Sequence, residues 1–364
     1  MTAVVPTHID WSDWPELSYR LGLTDGVPTF PPERSVVDRL IAACGRAADE
    51  IVGAIPPSGR PGTIEALAAN CVMAGCAPDH VPVVLAALEA MLTPRFNLSG
   101  VAVTTHPAWP LVIVSGRAVD DLAMASGESL FSGGGARANV AIGRAIKLIL
   151  WNVGGAYPRQ PVQEVLGHPG RFSYCIAEEP HATPWPPLHT ARGVDAPHGA
   201  VTVFGCEGPQ IVIAVGTSER AELMLDQIAD QMRARGNSNT HTMGETLVVL
   251  SPQWVRLLDD QGWTRDRAQE FLFERSRRRL GDIRRRADGS PALRPEDRYP
   301  WWPDAIDQTD PDVMVPTTWG PSSIHLVVAG GDSLTYAAVC PGWGIYGGFA
   351  ETRPLPALAA GSQV

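Results

Sequence analysis

The sequence predicts an α/β or α+β fold with mixed sheets and helices on the sheet faces. Both halves of the 364-residue chain combine strand-like runs of β-branched residues with amphipathic helical periods. The two kinds of segment do not alternate as the regular repeat of a doubly wound fold. No linker of flexible composition divides residues 30–285. We therefore expect one large, intimately packed unit made of two α/β halves.

Three segments are expected along this unit. Residues 1–34, which contain five prolines, predict an extended N-terminal lead-in. Residues 35–195 form the first α/β half, which contains a glycine-loop helix. Residues 196–364 form the second half, which contains an arginine-rich helix and a loop rich in Pro, Trp and Asp.

Composition limits the class of protein. A net charge of −10 argues against nucleic-acid binding through a basic surface. No apolar run approaches the roughly 20 residues that span a bilayer, and the N-terminus lacks the pattern of a signal peptide. Six cysteines without paired short spacings are typical of cytosolic thiols. We expect a cytoplasmic protein without nucleic-acid or membrane partners.

Helical periods open the first half and strand-like runs follow them. The predicted helices begin at Ser35, Thr63 and Pro82. Thr63 is a candidate N-cap, and Gly75 stands where a C-cap glycine belongs. Val101–Val103 and Leu111–Val114 are rich in β-branched residues and predict strands.

A run of three glycines precedes the longest helical period of the first half. The run is Gly133, Gly134 and Gly135, and the helix extends to about Asn152. Arg137 and Arg144 lie seven residues apart and therefore on one helix face, with Asn139 on a neighbouring face. A glycine loop that leads into a helix N-terminus favours a site for a carboxylate, sulfate or phosphate. A glycine linker before an ordinary amphipathic helix fits these residues as well.

Side chains that can transfer protons stand at the ends of predicted strands. Thr104, Thr105 and His106 follow the first strand, which predicts two substrate contacts and an acid or base. The alternative for His106 is a histidine that only bonds a turn carbonyl. Glu178 and Glu179 end a short strand and are candidate catalytic carboxylates.

Two cysteines and a histidine complete the first half of the candidate site. Cys76 lies just before a predicted helix N-terminus, which would lower the pKa of its thiol. A small buried residue in a tight turn is the alternative. Cys175 lies on the short strand, and we expect it to meet Arg137 and Glu178 in one cleft. His189 follows in a proline-rich segment that would form a pocket wall or lid.

The second half repeats the mixture of strands and helices. The predicted strands are Val201–Phe204, Ile211–Val215, Thr246–Leu250, Ile324–Ala329 and Leu334–Val339, the last two joined as a hairpin. A helix is expected from Ser218 to about Arg235. His241, in a polar run, is a further acid/base candidate, although such a run also describes an ordinary exposed loop.

An arginine-rich stretch follows, with nine arginines between Arg265 and Arg286. A solvated helix face is one interpretation. The other is a docking face for an acidic partner or for an anionic substrate tail.

No motif indicates a metal or a nucleotide cofactor. The chain lacks the CxxC, HExxH and HxH spacings, the P-loop and the GxSxG elbow. The GxGxxG formed by Gly342, Gly344 and Gly347 is not followed by a helix, so we interpret it as a turn. We predict no cofactor and no metal site.

Five stretches carry a family resemblance. They are ANCVMAGCAPDHVPVVLAALEAM (Ala69–Met91), VTTHP (Val103–Pro107), ARANVAIGRAIKL (Ala136–Leu148), YCIAEE (Tyr174–Glu179) and VVAGG (Val327–Gly331). In this order they resemble a broad bacterial family of mostly uncharacterised proteins, loosely associated with UGSC-motif (seleno)proteins, over most of residues 20–355. The resemblance implies a soluble, enzyme-like protein with no assigned reaction. The chain has no UGSC-like cysteine motif, so a redox role does not carry over.

These features together predict a cofactor-free acid/base enzyme that acts on a small anionic metabolite. A lyase or cyclase reaction in bacterial biosynthesis fits, through elimination or intramolecular displacement of an anionic leaving group. The arginine-rich helix would hold an acidic carrier that bears the substrate, and a homodimer remains open. One alternative is a thiol enzyme, an oxidoreductase or hydrolase, that uses Cys76 and Cys175. Another is a non-catalytic small-molecule binding protein.

Overall fold

Two four-stranded sheets form the centre of the molecule in a computed structural model that describes residues 10–159, 161–214 and 220–357. The strands are β1 (Ile51–Ile55), β2 (Arg60–Thr63), β3 (Trp109–Ser115), β4 (Cys175–Ala177), β5 (Ala200–Cys206), β6 (Gln210–Ile213), β7 (Thr246–Leu250), β8 (Arg278–Arg279), β9 (Met314–Val315), β10 (Ile324–Val328), β11 (Tyr336–Pro341) and β12 (Glu351–Pro354).

Helices surround the sheets and join their strands. They are α1 (Trp14–Arg20), α2 (Arg34–Cys44), α3 (Ile64–Ala74), α4 (Val81–Met91), α5 (Leu98–Val103), α6 (Ala118–Asp121), α7 (Arg137–Asn152), α8 (Leu188–Ala191), α9 (Ala221–Met232), α10 (Asn239–Thr242), α11 (Pro252–Asp260), α12 (Arg265–Arg275) and α13 (Leu280–Ile283). Among the described residues, no helix is both long and apolar enough to cross a bilayer.

Both large sheets mix parallel and antiparallel pairs, which confirms the predicted fold class. The first sheet has the order β12-β5-β3-β4, and only its β3–β4 pair is parallel. The second has the order β10-β7-β11-β6, and only its β7–β10 pair is parallel. Two-stranded ladders, β1-β2 and β8-β9, lie outside these sheets.

The two predicted halves share strands. β5 and β12 come after residue 195 in the chain, yet both belong to the first sheet, beside β3. The division at residue 195 therefore does not follow sheet membership. The backbone of Glu179 also donates to the carbonyl of Val328, which joins the end of β4 to the end of β10.

Helix caps account for the well-predicted elements of the first half. The Thr63 hydroxyl accepts a hydrogen bond from the Ala66 amide at the start of α3. Gly75 ends the same helix with a φ of 85°, a left-handed conformation that favours glycine. α7 packs against α3 and α4, and its apolar stripe is buried.

Some predicted elements differ from the structure. Val101–Val103 is not a strand, because the Asn97 side chain caps the Gly100 amide and starts helix α5 there. β10 and β11 do not form a hairpin, because β7 lies between them and pairs with both. The N-terminal lead-in contains helix α1, so it is not wholly extended. The predicted strand end at Val215 and helix start at Ser218 lie outside the described residues.

Candidate active site

The three glycines before α7 make a compact turn. Gly133, Gly134 and Gly135 have φ angles of 86°, 55° and 79°. A Cβ atom on Gly133 would lie 2.5 Å from Cγ2 of Val140, and one on Gly134 would lie 2.5 Å from Cβ of Ala125. Close packing and backbone conformation therefore account for glycine at these positions.

The polar side chains of α7 that we predicted to bind an anion have partners within the chain. The Arg144 guanidinium donates to the carbonyls of Pro28 and Val27, at 2.9 and 2.8 Å, and to the Asp25 carboxylate at 3.1 Å. Asn139 is buried and bonds both backbone groups of Ala125. Arg144 and Asn139 therefore anchor neighbouring segments, and these contacts occupy the polar groups that we predicted would bind an anion.

Arg137 is exposed and lies beside a different cavity. Its Nε donates to the Gly75 carbonyl at 2.8 Å. The cavity has a volume of about 1050 Å³, and Arg39, Cys76 and Asp79 also line it. Arg137 and Cys175 both lie near enough to Cys76 to influence its ionisation. Glu178 instead approaches Arg265, and neither Cys175 nor Glu178 lines this cavity, so the cavity does not bring together the predicted group of Arg137, Glu178 and Cys175.

The thiols are poorly suited to nucleophilic chemistry at neutral pH. The neighbouring Cys71 and burial raise the pKa of Cys76 well above its ordinary value, which contradicts the expected lowering. Burial likewise raises the pKa of Cys175. Cys76 lies before a one-turn 3₁₀ segment, and its thiol faces the Ala141 carbonyl at 3.4 Å. The helix dipole that would have lowered its pKa is therefore weak there.

The two carboxylates at the end of β4 have different surroundings. Glu178 is buried, accepts the Leu188 amide at 2.8 Å, and burial raises its pKa to about 7. Burial also disfavours the charged form of Glu179. Hydrogen bonds from the amides of His181 and Ala182, together with the Ser126 hydroxyl, outweigh this effect and lower the pKa of Glu179. Glu179 thus holds a loop in place.

Two of the predicted histidines are anchored away from any described cavity. His189 is buried, and its Nδ1 lies 2.8 Å from the Ser115 hydroxyl. Burial lowers the pKa of His241, whose Nδ1 lies 3.4 Å from the Tyr299 hydroxyl. The carbonyl of His241 accepts hydrogen bonds from the indoles of Trp301 and Trp302.

His106 lies near the cavity described next, close enough to influence the ionisation of two of its lining residues, Glu164 and His168. Its Nδ1 accepts the Ala108 amide, so Nε2 carries the proton that faces Glu207 at 3.0 Å. The Thr104 hydroxyl accepts the His106 amide, and the Thr105 carbonyl accepts the amide of Val165, which lies in the chain between the lining residues Glu164 and Leu166. The two threonines therefore shape the turn, and neither lines the cavity.

A cavity of about 740 Å³ lies between the start of β3, the middle of α7 and the loop before β4. We call it the lysine cavity. Its principal lining residues are Trp109, Lys147, Trp151, Glu164, His168 and Arg171. Burial of several titratable groups around one cavity is a common property of functional sites.

Lys147 lies between two indole rings in this cavity. Its Nζ is 5.1 Å from the ring centroid of Trp109 and 5.1 Å from that of Trp151. Within the described residues, the Lys147 ammonium makes no hydrogen bond and no salt bridge. Burial, assisted by the charge of Arg171, lowers the pKa of Lys147 to about 8. Part of the Lys147 population is therefore neutral at physiological pH, the form in which the amine can accept a proton.

Glu164 and Arg171 form an ion pair at the cavity wall. Arg171 bonds Oε2 of Glu164 and stacks on Trp109, with 4.1 Å between the guanidinium carbon and the ring centroid. Oε1 of Glu164 is buried without a hydrogen-bond partner among the described residues. Burial raises the pKa of Glu164 although Arg171 opposes this shift. Glu164 is thus placed to hold or release a proton at Oε1.

His168 supplies a second unsatisfied polar atom. Its Nδ1 accepts the Gly170 amide at 3.2 Å, which leaves the proton of the neutral ring on Nε2. Burial lowers the pKa of His168 to about 4, so the ring is neutral at physiological pH. Its Nε2 is also buried without a partner in the described part of the chain. Unsatisfied buried polar atoms beside a cavity indicate groups that a ligand would satisfy.

The charges of the cavity favour an anionic ligand. Asp25 and Glu164 are its carboxylates, and each is already paired with an arginine, Arg144 or Arg171. Arg159 lines the same cavity and, like Lys147, has no carboxylate within salt-bridge distance among the described residues. Two cationic side chains, Lys147 and Arg159, therefore line the cavity without a salt bridge among the described residues.

We did not predict this group of cavity side chains from the sequence, although one feature of the sequence indicated Lys147. Lys147 is the only lysine in a chain that contains 28 arginines. Trp151 follows it by four residues, a spacing that places the two side chains on one helix face. The other groups come from a strand start and an irregular loop, which no periodic pattern connects to α7.

Comparisons with known proteins add no assignment. No family model matches the chain, and no curated protein matches it. The family resemblance therefore stays a prediction.

The nine arginines between Arg265 and Arg286 all have partners within the chain. Arg265 is buried against the Leu326 and Pro186 carbonyls, and Arg275 pairs with Asp226. The remaining seven contact Trp263, Glu274, the Arg233 carbonyl, Asp312, Gln308, Asp282 and Asp297. These contacts support the interpretation as a structural surface. The acidic carrier stays a prediction.

Proposed function

We propose that the protein is an acid/base enzyme of lyase or cyclase type that acts on a small anionic metabolite in the lysine cavity. One observation carries the proposal: the Lys147 amine lines a cavity, between two indole rings, and makes no hydrogen bond or salt bridge among the described residues. A buried structural lysine would normally have a carboxylate in direct contact with its ammonium group.

The surrounding groups support proton transfer. In its neutral form Lys147 can accept a proton from a carbon next to an electron-withdrawing group. Glu164 can return a proton to a leaving group from Oε1, since its other oxygen is held by Arg171. Arg159 and Arg171 stabilise negative charge on the substrate or on the departing anion. An elimination or an intramolecular displacement uses these proton-transferring and anion-stabilising side chains together.

Anion binding tests where the substrate is held. We expect sulfate, phosphate and malonate to raise the thermal unfolding temperature of the wild-type protein. Lys147→Met should abolish this protection, because it removes the uncompensated charge from the cavity. The matched control is Arg137→Met, which removes an exposed cation from the other cavity and should leave the protection unchanged. The reverse pattern would place the anion at Arg137 and refute the lysine cavity as the substrate site.

Proton transfer is tested separately. In D₂O, the wild-type protein should catalyse deuterium uptake in a panel of small acids, at the carbon next to the carboxylate in hydroxy acids and at the C–H carbon next to the carbonyl in oxo acids, measured by NMR. Lys147→Met should lose this exchange. Binding of the panel without exchange would identify a small-molecule binding protein instead of an enzyme.

A further inference from the structure

The chain contains one lysine among 29 basic residues of the Lys and Arg type, and that lysine lies in the cavity. Arginine can stack on tryptophan and bind anions at least as well as lysine. What arginine cannot do is lose its proton near neutral pH and attack a carbon atom. In a chain that uses arginine at 28 other positions, a lysine at residue 147 points to chemistry that requires an amine.

We infer that the substrate class is a small carbonyl acid, such as a 2-oxo acid, and that Lys147 forms an imine with its carbonyl carbon. This inference rests on the proposed function and names the substrate class for the same site. The two tryptophans favour it, because a protonated imine is a cation at the position that the ammonium occupies. The carboxylate of the substrate would lie toward Arg159 and Arg171.

The bond changes balance without another reactant. The neutral Lys147 nitrogen attacks the carbonyl carbon and a C–N bond forms, while the C=O π bond breaks and the oxygen becomes a hydroxyl group by taking the proton from Oε1 of Glu164. The nitrogen then loses one proton to the Glu164 carboxylate. Glu164 then donates a proton from Oε1 to the hydroxyl group, the C–O bond breaks, and water leaves as the C=N bond forms. The products are the protonated imine and one water molecule.

The imine explains why acid/base chemistry would follow at this site. A positive nitrogen withdraws electrons from the adjacent carbon and makes its C–H protons more acidic. Glu164, released as a carboxylate after water leaves, is then a proton acceptor on the cavity wall. Removal of that proton gives an enamine, whose electron pair then expels a leaving group from the next carbon; the bond to the leaving group breaks, and the group departs as an anion.

Reductive trapping tests the inference. The full-length protein is incubated with pyruvate or glyoxylate and sodium cyanoborohydride, and the products are measured by intact mass and peptide mapping. The chain offers two amines, Lys147 and the N-terminal amine, whose ordinary pKa is roughly 7.7–8.0 and so provides an internal standard. We expect Lys147 to be labelled at least about tenfold faster than the N-terminus, a difference of about 1.4 kcal/mol in activation free energy.

Two controls test whether the substrate carboxylate and the Lys147 amine are responsible for the labelling. Neutral acetaldehyde should show much less preference for Lys147, because it lacks the carboxylate that the cavity would hold. Lys147→Arg, with its fold checked by circular dichroism, should lose labelling in the cavity and keep it at the N-terminus. If Lys147→Arg does not fold, the competition between sulfate and the carbonyl acid is measured on the wild-type protein instead. Sulfate should then slow the labelling of Lys147 and leave the labelling of the N-terminus unchanged.

The possible failures are distinguishable. If anions protect the wild-type protein and Lys147→Met abolishes that protection, while Lys147 is labelled no faster than the N-terminus, the imine is refuted and the proposed acid/base function stands. If anions protect neither protein and Lys147 is labelled no faster than the N-terminus, both proposals fall.

Discussion

At the scale of single residues, Lys147 occupies a position that disfavours its charged form. Its ammonium group lies between two indole rings, and burial and the charge of Arg171 outweigh the opposing charges of Asp25 and Glu164. Such an arrangement lowers the stability of the folded chain and is retained where chemistry uses the neutral amine. The resulting decrease in the free energy of unfolding can be measured.

Stability should therefore depend on pH through Lys147. Its folded pKa of about 8 lies below the ordinary value of 10.5, so the unfolded chain binds more protons between these values. The destabilisation is full below pH 8 and disappears as the pH approaches 10.5. Lys147→Met should stabilise the protein by roughly 1–3 kcal/mol at pH 7, partly offset by lost indole contacts.

Urea unfolding of both proteins from pH 7 to 10.5 measures this effect. The difference in free energy of unfolding between them should shrink steadily as the pH rises. A difference that does not change with pH would show that the folded protein does not perturb the pKa of Lys147.

At the scale of elements, α7 holds the N-terminal segment and the lysine cavity together. Arg144, one turn before Lys147, binds the Val27 and Pro28 carbonyls and the buried Asp25 carboxylate. The Trp151 indole, one turn after it, donates to the Gly22 carbonyl at 2.9 Å. The helix therefore uses one face to fix residues 22–28 against the cavity wall.

Arg144→Lys should loosen this segment. A lysine cannot reach the three acceptors together, and it leaves the buried Asp25 poorly paired, so we expect a loss of roughly 1–3 kcal/mol. Hydrogen exchange of residues 14–30 should increase, together with a lower thermal unfolding temperature. Arg39→Lys is the matched control, because Arg39 is exposed and forms no salt bridge among the described residues. Equal exchange in both variants would contradict the proposed anchoring.

At the scale of the whole molecule, a buried ionic network joins the two large sheets. Glu245, just before β7, accepts hydrogen bonds from His325 Nε2 on β10 at 2.8 Å and from the Ala350 amide before β12 at 2.7 Å. Arg192 contacts His325 and the Ala350 carbonyl. Burial disfavours the charge of Glu245, but the His325 hydrogen bond and the other contacts outweigh it and lower the pKa of Glu245.

Glu245→Gln should destabilise both sheets. Breaking a buried charge network costs roughly 2–4 kcal/mol, because the remaining partners stay buried. The lowered pKa means that Glu245 stabilises the fold above its ordinary pKa of 4.5, and that this stabilisation is lost as the pH falls through the folded value. The variant should therefore show a flatter loss of stability in acid.

Urea unfolding at several pH values, with hydrogen exchange of β5 and β7, measures this prediction. Glu222→Gln, at an exposed position, is the control and should change little. Loss of protection confined to one sheet would contradict a network that joins the two.

The sequence by itself determined the local elements. α3 and α7 follow from apolar periods and from Thr63, Gly75 and the glycine turn, because caps and periodicity act over a few residues. It also indicated the mixed fold class. It did not determine that β7 separates β10 from β11, or that β5 and β12 return to the first sheet, since pairing between distant strands leaves no local pattern.

Tertiary structure alone decided which polar side chains remain without partners. Arg144, Asn139 and Glu179 had the residue types of a binding site, yet neighbouring backbone groups and carboxylates occupy them. Lys147 was an ordinary polar position on a helix face until Trp109 of β3 and Glu164 of a loop enclosed it. The burial and the pairing of a side chain set its pKa. Because both depend on residues that lie far apart in the chain, the sequence pattern alone does not determine them.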